Sequence, residues 1–328
     1  MVVHSDLTGD FSISSLLREA AERCIDISYM EQVAPVIDTP TMSGLWKAEP
    51  IRDGLLMSGY DLRHLADFEF ATKMEPSVIC ALLLEGESGP LSIDGYPLID
   101  HKPQRVEVIG FGEPVICRRN CEAGTRARAF GITLRPEFLE QFAEHVDDEG
   151  LSPLREFLAP GLHRATLPWS PTIIGMANDV LNHPYSGLLG RLYHESQALR
   201  FLIEVTSSLG EHARASAAIG RIPYDRAVHA REILDRNLVD PPRALDLARQ
   251  VGVNLTTLQA NFKAAFGTTI FSYVRRQRLE MGRLLIIDHG LRIADAGIKV
   301  GFSNAAAFTA AYRRHFGRPP TADIRRMQ

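Results

Sequence analysis

Residues 244–317 carry one structural pattern written twice, and a chain that repeats itself in this way must repeat its local fold. The first copy runs from Ala244 to Gln250, through Val251-Gly252-Val253-Asn254, and on from Leu255 to Phe266 and Gly267. The second runs from Ile293 to Lys299, through Val300-Gly301-Phe302-Ser303-Asn304, and on from Ala305 to Phe316 and Gly317. From Asn254 onward the offset is a constant 50 residues, pairing Asn254 with Asn304, Leu258 with Phe308, Phe262 with Tyr312 and Gly267 with Gly317. Before the turn it is 49, so the second turn holds one extra residue. Each copy predicts a short helix, a tight turn and a second helix. Glycine suits the positive φ such a turn needs, and asparagine suits the cap of the helix that follows. The apolar residues Leu258, Phe262 and Phe266 recur at i, i+4 and i+8, leaving the opposite face free.

That is the helix-turn-helix arrangement, whose second helix lies in the DNA major groove. A single copy reads equally well as an ordinary packed α-hairpin; two copies in register, joined by one helix, favour the DNA reading. The joining helix, about Ile270 to Ile287, sets Phe271, Val274, Leu279 and Leu284 near one face and Arg275, Arg276, Arg278 and Arg283 elsewhere. Two motifs held by one rigid helix reach successive major grooves about 34 Å apart. In these residues the chain resembles the AraC/XylS family of bacterial transcription regulators. The matching positions are Leu247-Ala248, Val251-Gly252, Leu258, Phe262-Lys263, Phe266-Gly267, Arg278-Leu279, Ala294, Val300-Gly301-Phe302, Phe308, Tyr312-Arg313, Phe316-Gly317 and Pro319-Pro320.

The charge is divided along the chain. Residues 224–328 hold 17 Lys+Arg against 9 Asp+Glu, a balance of +8, while the preceding 223 residues hold 19 against 31, a balance of −12. One basic domain on an acidic partner is the pattern expected when only one of them meets phosphate. A length of 328 residues allows two domains, each with its own core. The absence of an 18-residue apolar run argues against a membrane span. Met1 to Asp10 lacks the build of a signal peptide, and four cysteines, Cys24, Cys80, Cys117 and Cys121, are too few for a disulfide framework. A cytoplasmic protein is the expectation.

The fold class expected is α+β, with residues 1–212 as an effector-sensing domain, 213–223 as a linker and 224–328 as an all-α DNA-binding domain carrying both helix-turn-helix motifs. Ser12 to Arg23 reads as a short amphipathic helix. Between residues 42 and 135, strands at Gly54–Tyr60, Val78–Leu84, Leu91–Ile93, Arg105–Phe111, Val115–Cys117 and Ala129–Leu134, punctuated by Gly and Pro, suggest a small cupin-like β-barrel. Residues 136–212 add helices at Pro136–Glu144, Pro171–Asn182 and Gly187–His212, with 150–170 as loop. Leu188, Leu192, Ala198-Leu199, Leu202, Val205 and Leu209 form a stripe on the last helix, which serves either packing on its own barrel or a homodimer seam. The order of parts also resembles AraC-type regulators with an N-terminal sensor. Two stretches are similar to the branch that controls siderophore uptake in response to ferric siderophores: Leu192-Tyr193-His194-Glu195 with Ala198-Leu199, and Gly252-Val253-Asn254 with the run from Phe266 to Phe271 and Tyr273.

Catalysis is not expected. His64 and His101 stand on separate segments, short of the His-carboxylate cluster a metal cupin needs. No P-loop, nucleophile elbow or His-Glu-x-x-His occurs, and no cofactor is implied. Cys117 and Cys121 flank Arg118-Arg119, an arrangement that could activate a thiolate. Two inert thiols are the plainer reading. A sensor needs an apolar concavity with a few polar groups, for which Trp46, Tyr60, Leu82 and Phe111 are candidates.

On the first reading helix Thr256, Gln259 and Ala260 fall, by resemblance to the family motif, where bases are contacted. Gln bonds adenine, while Thr and Ala meet thymine methyls. Lys263, Arg275, Arg276, Arg313 and Arg314 are phosphate candidates. The second helix offers Ala305, Ala306 and Ala310, none with a hydrogen-bonding side chain, so the first motif is expected to carry most hydrogen-bonded specificity. The partners implied are a double-stranded DNA operator, RNA polymerase and a small effector, with a ferric siderophore as the finer reading. The alternatives are a catabolic or stress-operon regulator sensing an aromatic acid or sugar, a DNA-binding protein with a reactive-cysteine barrel, and an architectural DNA binder.

Overall fold

The computed structural model describes residues 6–23, 25, 28–29, 38–101, 103–142, 150–167, 170–287 and 290–324. The end of the helix expected at Pro136–Glu144 and the thiol of Cys24 lie outside them. The chain divides into two compact units, Met1–Gly210 and Glu211–Gln328.

In the first unit the elements are β1 (Leu7–Phe11), α1 (Ile13–Glu22), β2 (Ser28–Tyr29), β3 (Met42–Arg52), β4 (Leu55–His64), β5 (Phe68–Met74), β6 (Ser77–Gly86), β7 (Leu91–Ile93), β8 (Arg105–Phe111), β9 (Val115–Cys121), β10 (Arg126–Leu134), α2 (Pro136–Glu140), α3 (Ser152–Arg155), β11 (Leu162–Thr166), α4 (Pro171–Asn182) and α5, which begins at Gly187 and continues to Ile219. Ser12 caps α1 by accepting from the Ser15 N–H at 3.2 Å, and Ile13, Leu16 and Ala20 are its buried face.

Among the described residues the strands form two antiparallel sheets, not one sheet closed into a barrel. One runs β1-β3-β4-β10-β6-β8-β11 and the other β2-β5-β9-β7. The expected strands are present, most of them longer than expected, but β1, β2, β3, β5 and β11 were not foreseen. β3 contains Gly44 and Pro50, residues that demote a run as a strand by local reading, yet it is held over its length by β4, with Trp46 opposite Tyr60. β11 corrects part of the loop expected at 150–170. It adds a strand beside β8 because Arg164 and Thr166 reach the buried Glu107, Arg164 Nε donating at 2.9 Å and the Thr166 hydroxyl at 2.9 Å. All seven residues of β8 are buried, and a buried carboxyl group there requires such partners. A short 3-10 turn at Glu156–Leu158 packs against β8 as well.

α4 lies on the seven-stranded sheet, with Ile173, Ile174, Met176, Ala177, Val180 and Leu181 buried. The stripe expected on α5 splits. Ala198, Phe201, Leu202, Val205 and Leu209 are buried, Phe201 edge-on to Phe130 at 5.0 Å between centroids. Leu188, Leu189, Leu192 and Ile203 are exposed. One helix thus has a packed face and an unpacked one. The stretch expected as linker is helical to Ile219, broken at Gly220 (φ +84) and helical again from Arg221.

The second unit contains α6 (Arg221–Arg236), α7 (Ala244–Gln250), α8 (Leu255–Phe266), α9 (Ile270–Ile287), α10 (Ile293–Lys299), α11 (Ala305–Phe316) and α12 (Pro320–Ile324). It has two hydrophobic clusters. Ala230, Leu234, Leu247, Leu258, Phe262, Tyr273 and Val274 form one; Leu279, Ile286, Ala296, Val300, Phe308 and Tyr312 form the other.

Candidate nucleic-acid interface

Each helix pair of the second unit is built by the same local chemistry. The turn glycines Gly252 and Gly301 sit at φ +71 and +86, a region β-carbon-bearing residues rarely enter. Asn254 accepts from the Thr257 N–H at 2.8 Å, and Asn304 accepts from the Ala307 N–H at 2.8 Å. Both α8 and α11 end in a left-handed glycine, Gly267 and Gly317. Leu258 and Phe262 bury one face of α8 completely, as Phe308 and Tyr312 do for α11. Burial of such side chains stabilises by about 1.5–3 kcal/mol each and fixes which face stays outward.

Thr256, Gln259, Ala260 and Lys263 are exposed along the outward face of α8. On α11 Ala306, Ala310, Arg313 and Arg314 are exposed and Ala305 is half-buried. The shared caps fix the correspondence between the helices: Thr256 with Ala306, Gln259 with Thr309, Ala260 with Ala310 and Lys263 with Arg313. Ala305 is the counterpart of Leu255, at the first position after the cap. Thr309, half-buried, is therefore the residue that sequence reasoning missed, and it has a hydroxyl. The expected positions Ala305, Ala306 and Ala310 have no hydrogen-bonding side chain, and this register adds Thr309 to them as the counterpart of Gln259.

Gln259, Lys263 and Arg275 also line a cleft of about 820 Å³ between the helix pairs, with Phe271, Phe302, Ser303 and Arg278. Its described lining contains three cations and no carboxylate. Arg276 is exposed and lies over the Tyr273 ring at 5.8 Å. The remaining arginines of α9 serve the fold. Arg278 donates to three backbone carbonyls, and Arg283 pairs with Asp323 at 3.3 Å. Asp323 also accepts from Arg318 at 2.5 Å and from the Tyr312 hydroxyl at 2.6 Å. Burial alone would raise its carboxyl, but those donors outweigh it and hold the group below the usual carboxylate range. Burial and the same carboxylate push the Tyr312 phenol up.

The first unit has a cavity of about 460 Å³ walled by strands of both sheets, within the range that holds a small ligand. Trp46 lines it, with Ala48, Leu56, Thr72, Met74 and Arg135. The other three candidates do not. Tyr60 packs beside Trp46, Leu82 is 1% exposed in the core, and Phe111 belongs to a separate cluster with Ile93 and Ile109. Of the cations on the wall, Arg52 is engaged by Glu195 at 2.9 Å and Lys73 by Glu75 at 2.9 Å. Arg135 has no ion pair among the described residues.

The Tyr193-His194 stretch has a local task. His194 Nδ1 meets Glu49 at 2.5 Å, its Nε2 meets His183 Nε2 at 2.5 Å, and the Tyr185 N–H donates to His183 Nδ1 at 3.2 Å. This chain of bonds fastens the start of α5 to β3. Burial would raise Glu49, but His194 and Arg191 hold it below the usual range. Burial, with His194 and Lys47 nearby, lowers His183 to about 4.

The reactive-cysteine alternative is not supported. Cys117 and Cys121 are buried, and burial pushes both thiols up to about 11 despite Arg119. Four residues apart on one strand they lie about 13 Å from each other, beyond disulfide reach. His64 bonds Thr125 at 2.8 Å and His101 approaches Arg119 at 3.4 Å. Among the described residues no group of three or more His, Cys, Asp or Glu is placed to hold a metal ion, and no helix is long and apolar enough to cross a membrane.

The family described as regulatory protein PchR N-terminal domain matches residues 43–221, and a helix-turn-helix domain family matches residues 247–326. The HTH-type transcriptional regulator ExsA of Pseudomonas aeruginosa is 22% identical over 264 residues, 79% of this chain and 89% of that protein. The virulence regulon transcriptional activator VirF of Yersinia enterocolitica is 25% identical over 125 residues, 38% of this chain and 45% of that protein. Among solved structures, the AraC-like transcriptional activator CuxR is 14% identical over 84% of this chain and 94% of that chain, with a TM-score of 0.35.

Proposed function

Since the chain belongs to the AraC family of transcription regulators, joining a domain of the regulatory protein PchR N-terminal family to a helix-turn-helix domain, we propose that it activates transcription from an asymmetric operator read by both helix pairs, in response to a ligand held in the first unit. The observation that carries this reading is the capped, repeated helix pair whose outward faces hold Thr256, Gln259, Lys263, Thr309, Arg313 and Arg314, in a region, residues 224–328, with a charge balance of +8. α8 supplies the amide of Gln259 for an adenine edge, and the cations grip phosphate without reading sequence. RNA polymerase is the partner an activator requires, and the cytoplasm is its compartment. Residues 187–212, with Leu188, Leu192 and Ile203 outward, supply the seam for a homodimer.

The effector proposed is a ferric siderophore, supported by the resemblance of the Leu192–Leu199 and Phe266–Tyr273 stretches to the siderophore-uptake branch. The cavity beside Trp46 and Arg135 is the place for it. Thermal denaturation of the full chain with ferric siderophores, their iron-free forms, aromatic acids and sugars tests this. A ligand at a hundred times its Kd adds about 2.7 kcal/mol to the state that binds it. Stabilisation by the ferric form alone supports the iron reading. Stabilisation by an aromatic acid or a sugar instead overturns it and leaves a catabolic regulator, while Trp46→Ala should abolish whichever shift is found.

A further inference from the structure

The two hydrophobic clusters of the second unit share no residue. α9 feeds both, with Tyr273 and Val274 in the first and Leu279 and Ile286 in the second. Between these anchoring points stands Arg278. Its Nε donates to the Leu238 carbonyl at 2.8 Å and its Nη2 to the Val239 carbonyl at 2.8 Å, both on the segment that follows α6. Its Nη1 donates to the Gly301 carbonyl at 3.0 Å, in the turn that leads to α11. Leu238 packs on the first cluster, and Val300 and Phe302 on either side of Gly301 belong to the second. One planar, permanently charged group therefore ties backbone of one helix pair to backbone of the other.

The turn is shaped to admit it. A β-carbon on Gly301 would fall 2.8 Å from the Val239 carbonyl oxygen and 3.0 Å from Arg278 Cζ. The three bonds also set Arg278 apart from Arg275 and Arg276, whose side chains make no hydrogen bond or ion pair among the described residues. A single joining helix fixes the distance between two modules but leaves their rotation open to bending. Three bonds from a rigid fork restrict that rotation in a way one ammonium cannot.

We infer that Arg278 is a positioning residue that sets the separation and rotation of α8 against α11, and so determines which spacing between the two DNA segments the protein accepts. This rests on the reading that both helices enter DNA. The test uses the full-length chain and a duplex it selects from a randomised library, with its two contacted segments located by footprinting. Derivatives add or remove one base pair between the segments, a change of about 3.4 Å and roughly 35° of rotation. The wild-type protein should lose about tenfold or more in affinity on either change. Arg278→Ala should bind the selected duplex more weakly and keep the three spacings within about threefold of one another. Arg278→Lys should not restore the discrimination. Arg278→Gln, which retains the packed stem, carries the same comparison if the alanine variant does not fold. An alanine or glutamine variant that weakens all spacings by one common factor would overturn the inference, because that is the signature of lost folded protein alone. A wild-type protein indifferent to spacing would instead overturn the two-helix reading, and the inference with it.

Discussion

Gln259 and Thr309 occupy one position on two copies of the same helix, and each carries a group that can bond a base edge. Replacing Gln259 by Ala should relax preference at a single base pair by about 1–3 kcal/mol, read by binding to single-base variants of the selected duplex. Thr309→Ala should do the same at a second base pair about one helical turn away. Arg314→Ala should weaken all sequences alike and reduce the salt slope by about one unit. A titratable residue, His101, reports on the first unit. Burial, with Arg119 and Arg164 nearby, lowers His101 to about 3. The folded state thus refuses a proton that the unfolded chain accepts near pH 6.5. The stability this represents is complete above pH 6.5 and is lost as pH falls from there toward 3. Urea melts should show a loss on the order of 2 kcal/mol over that window, allowing for the ring's residual solvent access, and His101→Asn should flatten it. At this scale the sequence located Gln259 and Lys263 because the repeat exposes them. It missed Thr309, although the constant offset of 50 after the paired asparagines already sets Thr309 opposite Gln259. Arg278 was legible only as one more cation, because its task requires carbonyls 40 and 23 residues away.

The elements most legible in advance are those with local causes. α8 and α11 begin and end where their asparagines and glycines place them, so Asn254→Ala and Asn304→Ala should each cost about 1 kcal/mol, measured by thermal melts of the full chain. Loss of neither cap's contribution would show that the helices are held by packing alone. The least legible elements depend on partners far along the chain. β3 persists through Gly44 and Pro50 because β1 and β4 flank it. β11 exists because Glu107 needs Arg164 and Thr166. Closure is equally non-local. Short strands with regular turns suit a barrel and a pair of sheets alike, and only the pairings of β5 with β9 and of β10 with β6 separate the two sheets. The helical continuation of α5 to Ile219 shows the same limit: an Ala- and Ser-rich stretch reads as a flexible joint, yet nothing in it breaks a helix before Gly220.

At the scale of the whole molecule, an acidic region, residues 1–223, with a ligand-sized cavity precedes a basic region, residues 224–328, with two capped helix pairs, and the function proposed for them links an effector to an operator. If effector changes operator affinity by some factor, operator must change effector affinity by the same factor. The charge division and the repeat made this organisation legible. The cavity was not, because its walls come from both sheets and only Trp46 of the foreseen residues reaches it. The central claim is that two copies of one device read DNA together. Its most direct test is to substitute every base pair of the selected duplex in turn and measure the Kd of the full-length protein at one fixed salt concentration. Two blocks of sensitive positions, centred about 10 base pairs apart on one face and each holding substitutions that cost about 1–3 kcal/mol, are the expected result. A single block, or a duplex on which no substitution costs more than about 0.5 kcal/mol, would contradict it.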